Sequence, residues 1–280
     1  MFYLLILILQ MKLVRQIIDL NKAIKDSQEL GFVPTMGGLH EGHISLIKQS
    51  KTKCKQTLVS IFVNPKQFNS NHDYKFYPRN INKDLKILKK LQVDFVFLPS
   101  VNEIYKEKLT KFKLKKEQKI LCAKYRKGHF EGVLNIMDRF IKLILPKFIF
   151  MGQKDFQQTF LVKKNFEQKY KTKIITCKTI RDLDNIALST RNFLLKKNEI
   201  KIAGLIVKKL IILKSKINQN RSISKSLIDN IKDEIKKDFN IKIEYLEARN
   251  IVNLKSNILS KKFRVFIAYY INDIRLIDNI

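Results

Sequence analysis

Short apolar runs alternate with longer amphipathic stretches through the first half of the chain and up to about Thr179. Leu58–Val63 (LVSIFV) has the length and β-branched content of a buried strand. Phe95–Leu98 (FVFL), closed by Pro99, predicts a second, and Lys147–Met151 (KFIFM), ending at Gly152, a third. Ile174–Thr179 predicts a fourth, Met11–Val14 reads as the start of a strand, and Phe32–Val33 as the end of one. Between them, Asn82–Leu91 sets Leu85, Leu88 and Leu91 on one helical face. Strand, helix and strand in repetition predict a parallel sheet covered by helices.

After about Thr179 the texture changes. Asn198–Ser215 and Ser224–Asp238 read as amphipathic helices, and Ile241–Ala248 and Phe263–Tyr270 as strands. No Gly/Ser/Pro-rich linker separates the halves. The expected fold class is α/β, a Rossmann-like parallel-sheet domain over 1–180 followed by a smaller α+β domain over 181–280, with a hinge near Arg181. The apolar run Phe2–Leu9 is too short to span a bilayer and lacks the basic region and cleavage site of a signal peptide. A buried first strand would explain this run, and so would a start-site extension over 1–10; the strand-like Met11–Val14 favours the second, with Met11 the expected beginning.

Composition changes this picture little. The formal charge is +31, but 46 of the 56 basic residues are lysine and only 10 arginine. Arginine is the better group for bidentate phosphate and base contacts. The lysines are also spread along the whole chain. With abundant Ile and Asn and no Trp, the bias resembles drift toward A/T-rich codons, so no specific nucleic-acid partner is expected. Cys54, Cys122 and Cys177 are distant and form no CxxC, which predicts a reduced cytoplasmic setting without structural zinc.

The densest chemistry lies in Val33–Ser45, VPTMGGLHEGHIS. A strand end is followed by the glycine turn Met36–Gly37–Gly38, and an amphipathic segment begins near Leu39. Ligands of open parallel sheets bind beyond the carboxyl ends of strands. Glycines let backbone approach them, and a helix start offers N–H groups and a positive dipole end to phosphate. His40 and His43, three apart, fall on one face, where two imidazoles can donate to phosphate oxygens as charge builds in a transition state.

HxGH after a first strand resembles the signature of the HxGH nucleotidyltransferase superfamily. PTMGGLHEGH in full is similar to the pantothenate synthetase (pantoate–β-alanine ligase) family within it. Further blocks carry the same resemblance in order: VNPKQF (63–68), YPR (77–79), GHFEGV (128–133) preceded by Arg126, GQKDFQQ (152–158), LSTRN (188–192) and RLIDN (275–279). It runs from about Met11 to the end. It implies ATP-dependent condensation of pantoate with β-alanine through pantoyl adenylate, releasing pyrophosphate and AMP. The catalytic groups would be His43, His40, Lys154, Ser189 and Arg191. Met36, Gly37, Gly38, Leu39, Glu41 and Gly42 would surround ATP from one side. Gly152, Gln153, Asp155 (on the ribose), Ile180 (backbone to adenine), Leu188 and Thr190 would do so from another. Gln67 and Gln158 would hold pantoate, and Asp84 stands where a Mg²⁺-associated carboxylate is found. His129 would either wall the pocket or cap and pack its own turn. A closing loop is expected near Asn69–Tyr77 or Asp184–Arg191. The resemblance further implies that 1–180 binds nucleotide and pantoate and that 181–280 is a lid and dimerisation domain of a homodimer, with no membrane association.

The chain departs from the family pattern at four positions. Gln153 replaces a usual Glu, Lys127 a Pro, and Asn185 and Asn272 a Gly. Asn185 is a fair replacement where the backbone is left-handed. Two rivals are a nucleotidyltransferase acting on another substrate, against which the two glutamines and YPR count, and a basic RNA- or DNA-binding protein, against which the even spread of lysine counts.

Overall fold

The computed structural model describes residues 11–220, 224–258 and 262–280; the apolar run at Phe2–Leu9 lies outside them. The chain forms two compact units. The first runs to Leu114 and takes in Gly128–Gly152 and Gln158–Cys177. Its strands are β1 (Lys12–Val14), β2 (Leu30–Thr35), β3 (Gln56–Ile61), β4 (Phe95–Phe97), β5 (Phe148–Gly152) and β6 (Lys173–Cys177). All pair in parallel, in the order β1-β4-β3-β2-β5-β6. The helices between them are α1 (Ile17–Ile24), α2 (Glu41–Lys53), α3 (Asn71–Lys75), α4 (Ile81–Lys90) and α5 (Val101–Tyr105). Three more follow, α6 (Cys122–Tyr125), α7 (His129–Ile144) and α8 (Phe156–Tyr170), of which α6 belongs to the second unit.

β2 is the strand that positions the site. It pairs with β3, its successor in the chain, on one side and with the much later β5 on the other. The strand order reverses there, and at such a switch point the loops leaving neighbouring strands diverge and open a crevice. β2 reads LGFVPT and is buried along almost its whole length, as a central parallel strand covered on both faces should be. Val33, Ile47, Val59, Leu88, Val96 and Phe150 form the core against it. α4 contributes Leu88, fully buried, whose removal from water is worth about 1.5–3 kcal/mol.

The second unit comprises Lys178–Ile280 with two earlier segments, Lys115–Lys127 and Gln153–Gln157. They join it through named contacts: Asn279 holds the carbonyls of Gln153 and Lys154, and Phe156 packs edge-on against Phe266. Helices α9 (Lys197–Gln219) and α10 (Ser224–Phe239) precede three antiparallel strands, β7 (Lys242–Asn250), β8 (Phe263–Ile271) and β9 (Ile274–Asn279). Ile206, Leu210, Leu213 and Ile217 on α9 meet Val265, Ile267 and Tyr269 of β8 in its core. The β8–β9 turn has Asn272 at φ 50°, and Asn185 stands at φ 65°. Both lie in the left-handed region, where asparagine is the least costly substitute for glycine.

Candidate active site

β2 ends at Thr35, whose hydroxyl donates to the Ser60 carbonyl (2.7 Å) and accepts the Gly37 N–H (3.2 Å). Gly37 has φ 78°, and a Cβ there would stand 2.9 Å from Asp84 Oδ2. The turn therefore needs glycine for space as well as conformation. Asp84, 1% exposed, reaches in from α4. Its Oδ2 accepts the Gly38 N–H at 2.9 Å and its Oδ1 the Leu39 N–H at 2.8 Å. These charge-assisted bonds fix the turn's shape.

His40 is the N-cap of α2 rather than a member of its first turn. Its Nδ1 accepts the Gly42 N–H at 3.1 Å, which places its proton on Nε2. The His40 and His43 rings lie 4.1 Å apart between centroids, tilted by 45°. The expectation that the helix start offers its amides to phosphate is thus corrected for Gly38, Leu39 and Gly42, whose N–H groups serve Asp84 and His40. The Nε2–H of His40 is one donor this turn presents.

Beyond β3, Asn64 caps the 3₁₀ turn Pro65–Gln67. Its Nδ2 donates to Gln67 Oε1 (3.3 Å) and to the Gly132 carbonyl (3.1 Å). Its Oδ1 accepts from Tyr105 Oη at 2.5 Å; burial pushes the Tyr105 hydroxyl up to about 12, so it remains a donor. Gln67 is 8% exposed, with Nε2 on Met36 Sδ at 2.7 Å, so the pantoate-binding candidate is tied to the glycine turn. His129 Nδ1 donates to the Gln67 carbonyl at 2.7 Å. A Cβ at Gly132 would fall 2.5 Å from the Lys66 carbonyl oxygen, which explains a glycine inside α7. Asn64 and Tyr105, which the sequence pattern does not single out, belong to the network that holds Gln67. The one signal for Asn64 is its place directly before Pro65 at a strand end, an Asx-turn position. In the Asn69–Tyr77 segment, Ser70 caps α3, and Tyr77 packs edge-on against Phe68, 5.5 Å between ring centres.

The second unit carries an open cleft of about 490 Å³ lined by Lys154, Asp155, Ser189, Arg191, Arg126 and Arg275, among others. Lys154 and Asp155 stand on the 3₁₀ turn Gln153–Asp155, directly after β5. Ser189 caps the short helix Thr190–Leu194, its Oγ accepting the Arg191 N–H at 3.3 Å. The Ile180 carbonyl accepts the Leu188 N–H at 2.9 Å, closing the base of this loop. Arg275 is held by Glu244 (2.7 and 3.0 Å) and by Cys122 Sγ (3.3 Å). Clustered cations beside a serine-capped loop suit a polyanion. Of the other candidates, Met36–His43, Gly152 and Gln158 lie in the first unit, Gly152 closing β5 and Gln158 half-buried in α8, while Gln153, Leu188 and Thr190 lie in the second.

Both oxygens of Asp84 hold amides, and no group of three or more His, Cys, Asp or Glu able to bind a metal occurs among the described residues. No helix among them is long and apolar enough to cross a membrane. All three cysteines are buried, and burial raises the Cys54 and Cys177 thiols, the latter to about 11.

An open parallel sheet that brings a close, tilted pair of imidazoles to its switch point belongs with the α/β enzymes that act on nucleotide phosphates. The family model described as pantoate–β-alanine ligase matches residues 7–280, and the chain belongs to that family. It is 37% identical over 265 residues to a pantothenate synthetase of Caldicellulosiruptor bescii, covering 93% of each chain. It is 39% identical to one from Leptospira biflexa, over 96% of this chain and 98% of that one. Its fold is similar to that of the Thermus thermophilus pantothenate synthetase, with a TM-score of 0.88 at 29% identity over 96% of this chain and 98% of that one. It is also similar to the Francisella tularensis pantoate–β-alanine ligase complexed with β-γ ATP and β-alanine, with a TM-score of 0.82 at 35% identity over 96% and 97%.

Proposed function

We propose that the chain condenses pantoate with β-alanine at the expense of ATP, in two steps. The pantoate carboxylate attacks the α-phosphorus in line, the bond to pyrophosphate breaks, and pantoyl adenylate forms. The β-alanine amine then attacks the activated carbonyl, AMP leaves, and the amine's proton is released. The observation that carries this reading is the cleft that gathers Lys154, Ser189 and Arg191.

In this reading the protein supplies position and countercharge rather than a covalent nucleophile. Nε2–H of His40 and the His43 ring donate to phosphate oxygens as charge develops. Lys154, Ser189 and Arg191 take up the β- and γ-phosphates, Asp155 the ribose hydroxyls, and Ile180 the adenine through its backbone. Met36–Gly42, Gly152, Gln153, Leu188 and Thr190 complete the nucleotide's surroundings. Gln67 and Gln158 orient pantoate. Any Mg²⁺ would rest on the triphosphate and water rather than on Asp84, and no step is routed through it. The 1–180 region binds both substrates of adenylation, 181–280 serves as lid and dimer interface, and the setting is cytoplasmic.

AMP release followed by a coupled assay tests this. Release should require pantoate and β-alanine together. His43→Ala should lower it by about 100-fold or more with unchanged melting temperature. Normal turnover by that variant, or AMP release without pantoate, would overturn the reading.

A further inference from the structure

The last strand of the second unit ends in two buried polar residues that this chemistry leaves without a task. Asn279, 1% exposed, donates from Nδ2 to two consecutive carbonyls, Gln153 at 3.1 Å and Lys154 at 2.8 Å. Carbonyls only accept, so the amide group must face them. Asp278, 5% exposed, takes a forked pair from Arg181, Nη1 to Oδ2 at 2.7 Å and Nη2 to Oδ1 at 2.8 Å. Nη1 of Arg181 also donates to the Asn185 carbonyl (2.7 Å), and Nη2 to the Asn279 carbonyl (3.3 Å). Asp278 Oδ1 accepts the Asn279 N–H at 2.7 Å, which links the two side-chain systems.

Apart from that last bond within β9, each joins β9 or Arg181 to a segment that carries a phosphate-binding candidate. Gln153–Asp155 is the turn that presents Lys154. Arg181 opens the loop whose bridge to Ala187 leads straight into Ser189 and Arg191. Neither segment belongs to a sheet: the first is a 3₁₀ turn between β5 and α8, and the second a loop closed on itself by one bridge and the bonds beside it. β9 is anchored in the sheet, with Asp278 opposite Ile267 and Asn279 opposite Phe266. We infer that Asp278 and Asn279 are positioning residues that set the spacing between Lys154 and the Ser189–Arg191 loop, and so shape the site for ATP's polyphosphate. Asp278 lines the same cleft, but both its oxygens are taken up by Arg181. Both act through the backbone they hold.

The inference rests on the roles proposed for Lys154 and Arg191, and a double-mutant cycle separates the two. The readout is equilibrium binding of a non-hydrolysable ATP analogue, with the pantoate KM as control. Lys154→Ala alone tests the underlying reading: unchanged affinity would remove Lys154 from the site. Asn279→Ala should weaken analogue binding about tenfold while the pantoate KM moves less than about twofold. In the Lys154→Ala background, the same change should cost less than about twofold more, because the two act as one unit. Asp278→Asn should show the same dependence on Arg191. Multiplying effects, or equal losses for ATP and pantoate, would overturn the inference. Asn279→Asp keeps the side-chain volume but turns the donor into an acceptor, and it is read by the same criteria if the alanine variant does not fold. Failure of both to fold would also overturn it, since Asn279 would then be a folding determinant.

Discussion

Asp84 occupies the buried stripe of α4 one turn before Leu88, and a charge on a core-facing stripe has to be matched by donors. The donors are the amides of Gly38 and Leu39. Asp84→Asn would turn one acceptor into an NH₂ group facing an N–H, a conflict costing about 1–3 kcal/mol. We expect kcat/KM for ATP to fall about 10- to 100-fold, with a small drop in melting temperature; steady-state kinetics beside a thermal melt check this. The sequence held the clue, since Leu85, Leu88 and Leu91 define the stripe and Asp84 falls within its arc. It could not reveal the partner, 46 residues away in the chain. His40 was similarly half-legible. Its pairing with His43 follows from spacing, whereas its service as an N-cap depends on where α2 begins, a boundary that spacing does not set. Asn185 was readable as a left-handed position only through the glycine that the resembling family carries there; Glu29, Gln92, Leu121, Leu145 and Lys171 adopt the same conformation with nothing in the sequence to mark them.

Among elements, α7 and α8 are joined by one buried carboxylate. Asp138, with its side chain 2% exposed, accepts from Lys142 (2.7 Å) and Lys169 (2.9 Å). It also accepts from Tyr170 Oη (2.5 Å) and Thr110 Oγ1 (2.9 Å). Burial alone would raise its pKa, but these four donors outweigh it and hold the group at about 2. Its unfolded value is about 3.9. The native state therefore binds fewer protons at this site between those values. The stabilisation is complete above about pH 4 and is lost as pH falls toward about 2. Acid unfolding of Asp138→Asn should be shallower through that interval, with lower stability at neutral pH; melts from pH 2 to 7 decide it. The strands of the first sheet were legible as apolar runs, because parallel strands are buried on both faces. Their ends were displaced by a residue or two. Leu58–Val63 becomes Gln56–Ile61, since pairing with β2 continues to Gln56 and the chain turns away toward Asn64. The two insertions into the second unit were not legible, because they depend on single long-range bonds such as those of Asn279 and not on periodicity.

For the whole molecule, charge and arginine chemistry part company. Arg139, Arg181, Arg249 and Arg275 each pair with a carboxylate, whereas most of the net charge of +31 comes from lysine spread along the chain. Scattered lysines attract anions without choosing among them. Affinity for a random oligonucleotide should therefore drop steeply, by about 10³-fold or more, between about 50 and 200 mM salt, with no preference among sequences. The KM for ATP should change far less over that range, because its binding groups converge in one cleft rather than relying on the diffuse field. Filter binding and initial rates over the same salt series measure both.

The three buried cysteines have a practical consequence. Thiol reagents meet a protein whose own sulfurs are shielded by packing. A single cysteine introduced in the exposed part of the Asn69–Tyr77 segment or of the 181–191 loop would be the one fast-reacting site. A fluorophore or spin label could be placed there without first stripping the native thiols, and its signal would follow that segment through a catalytic cycle.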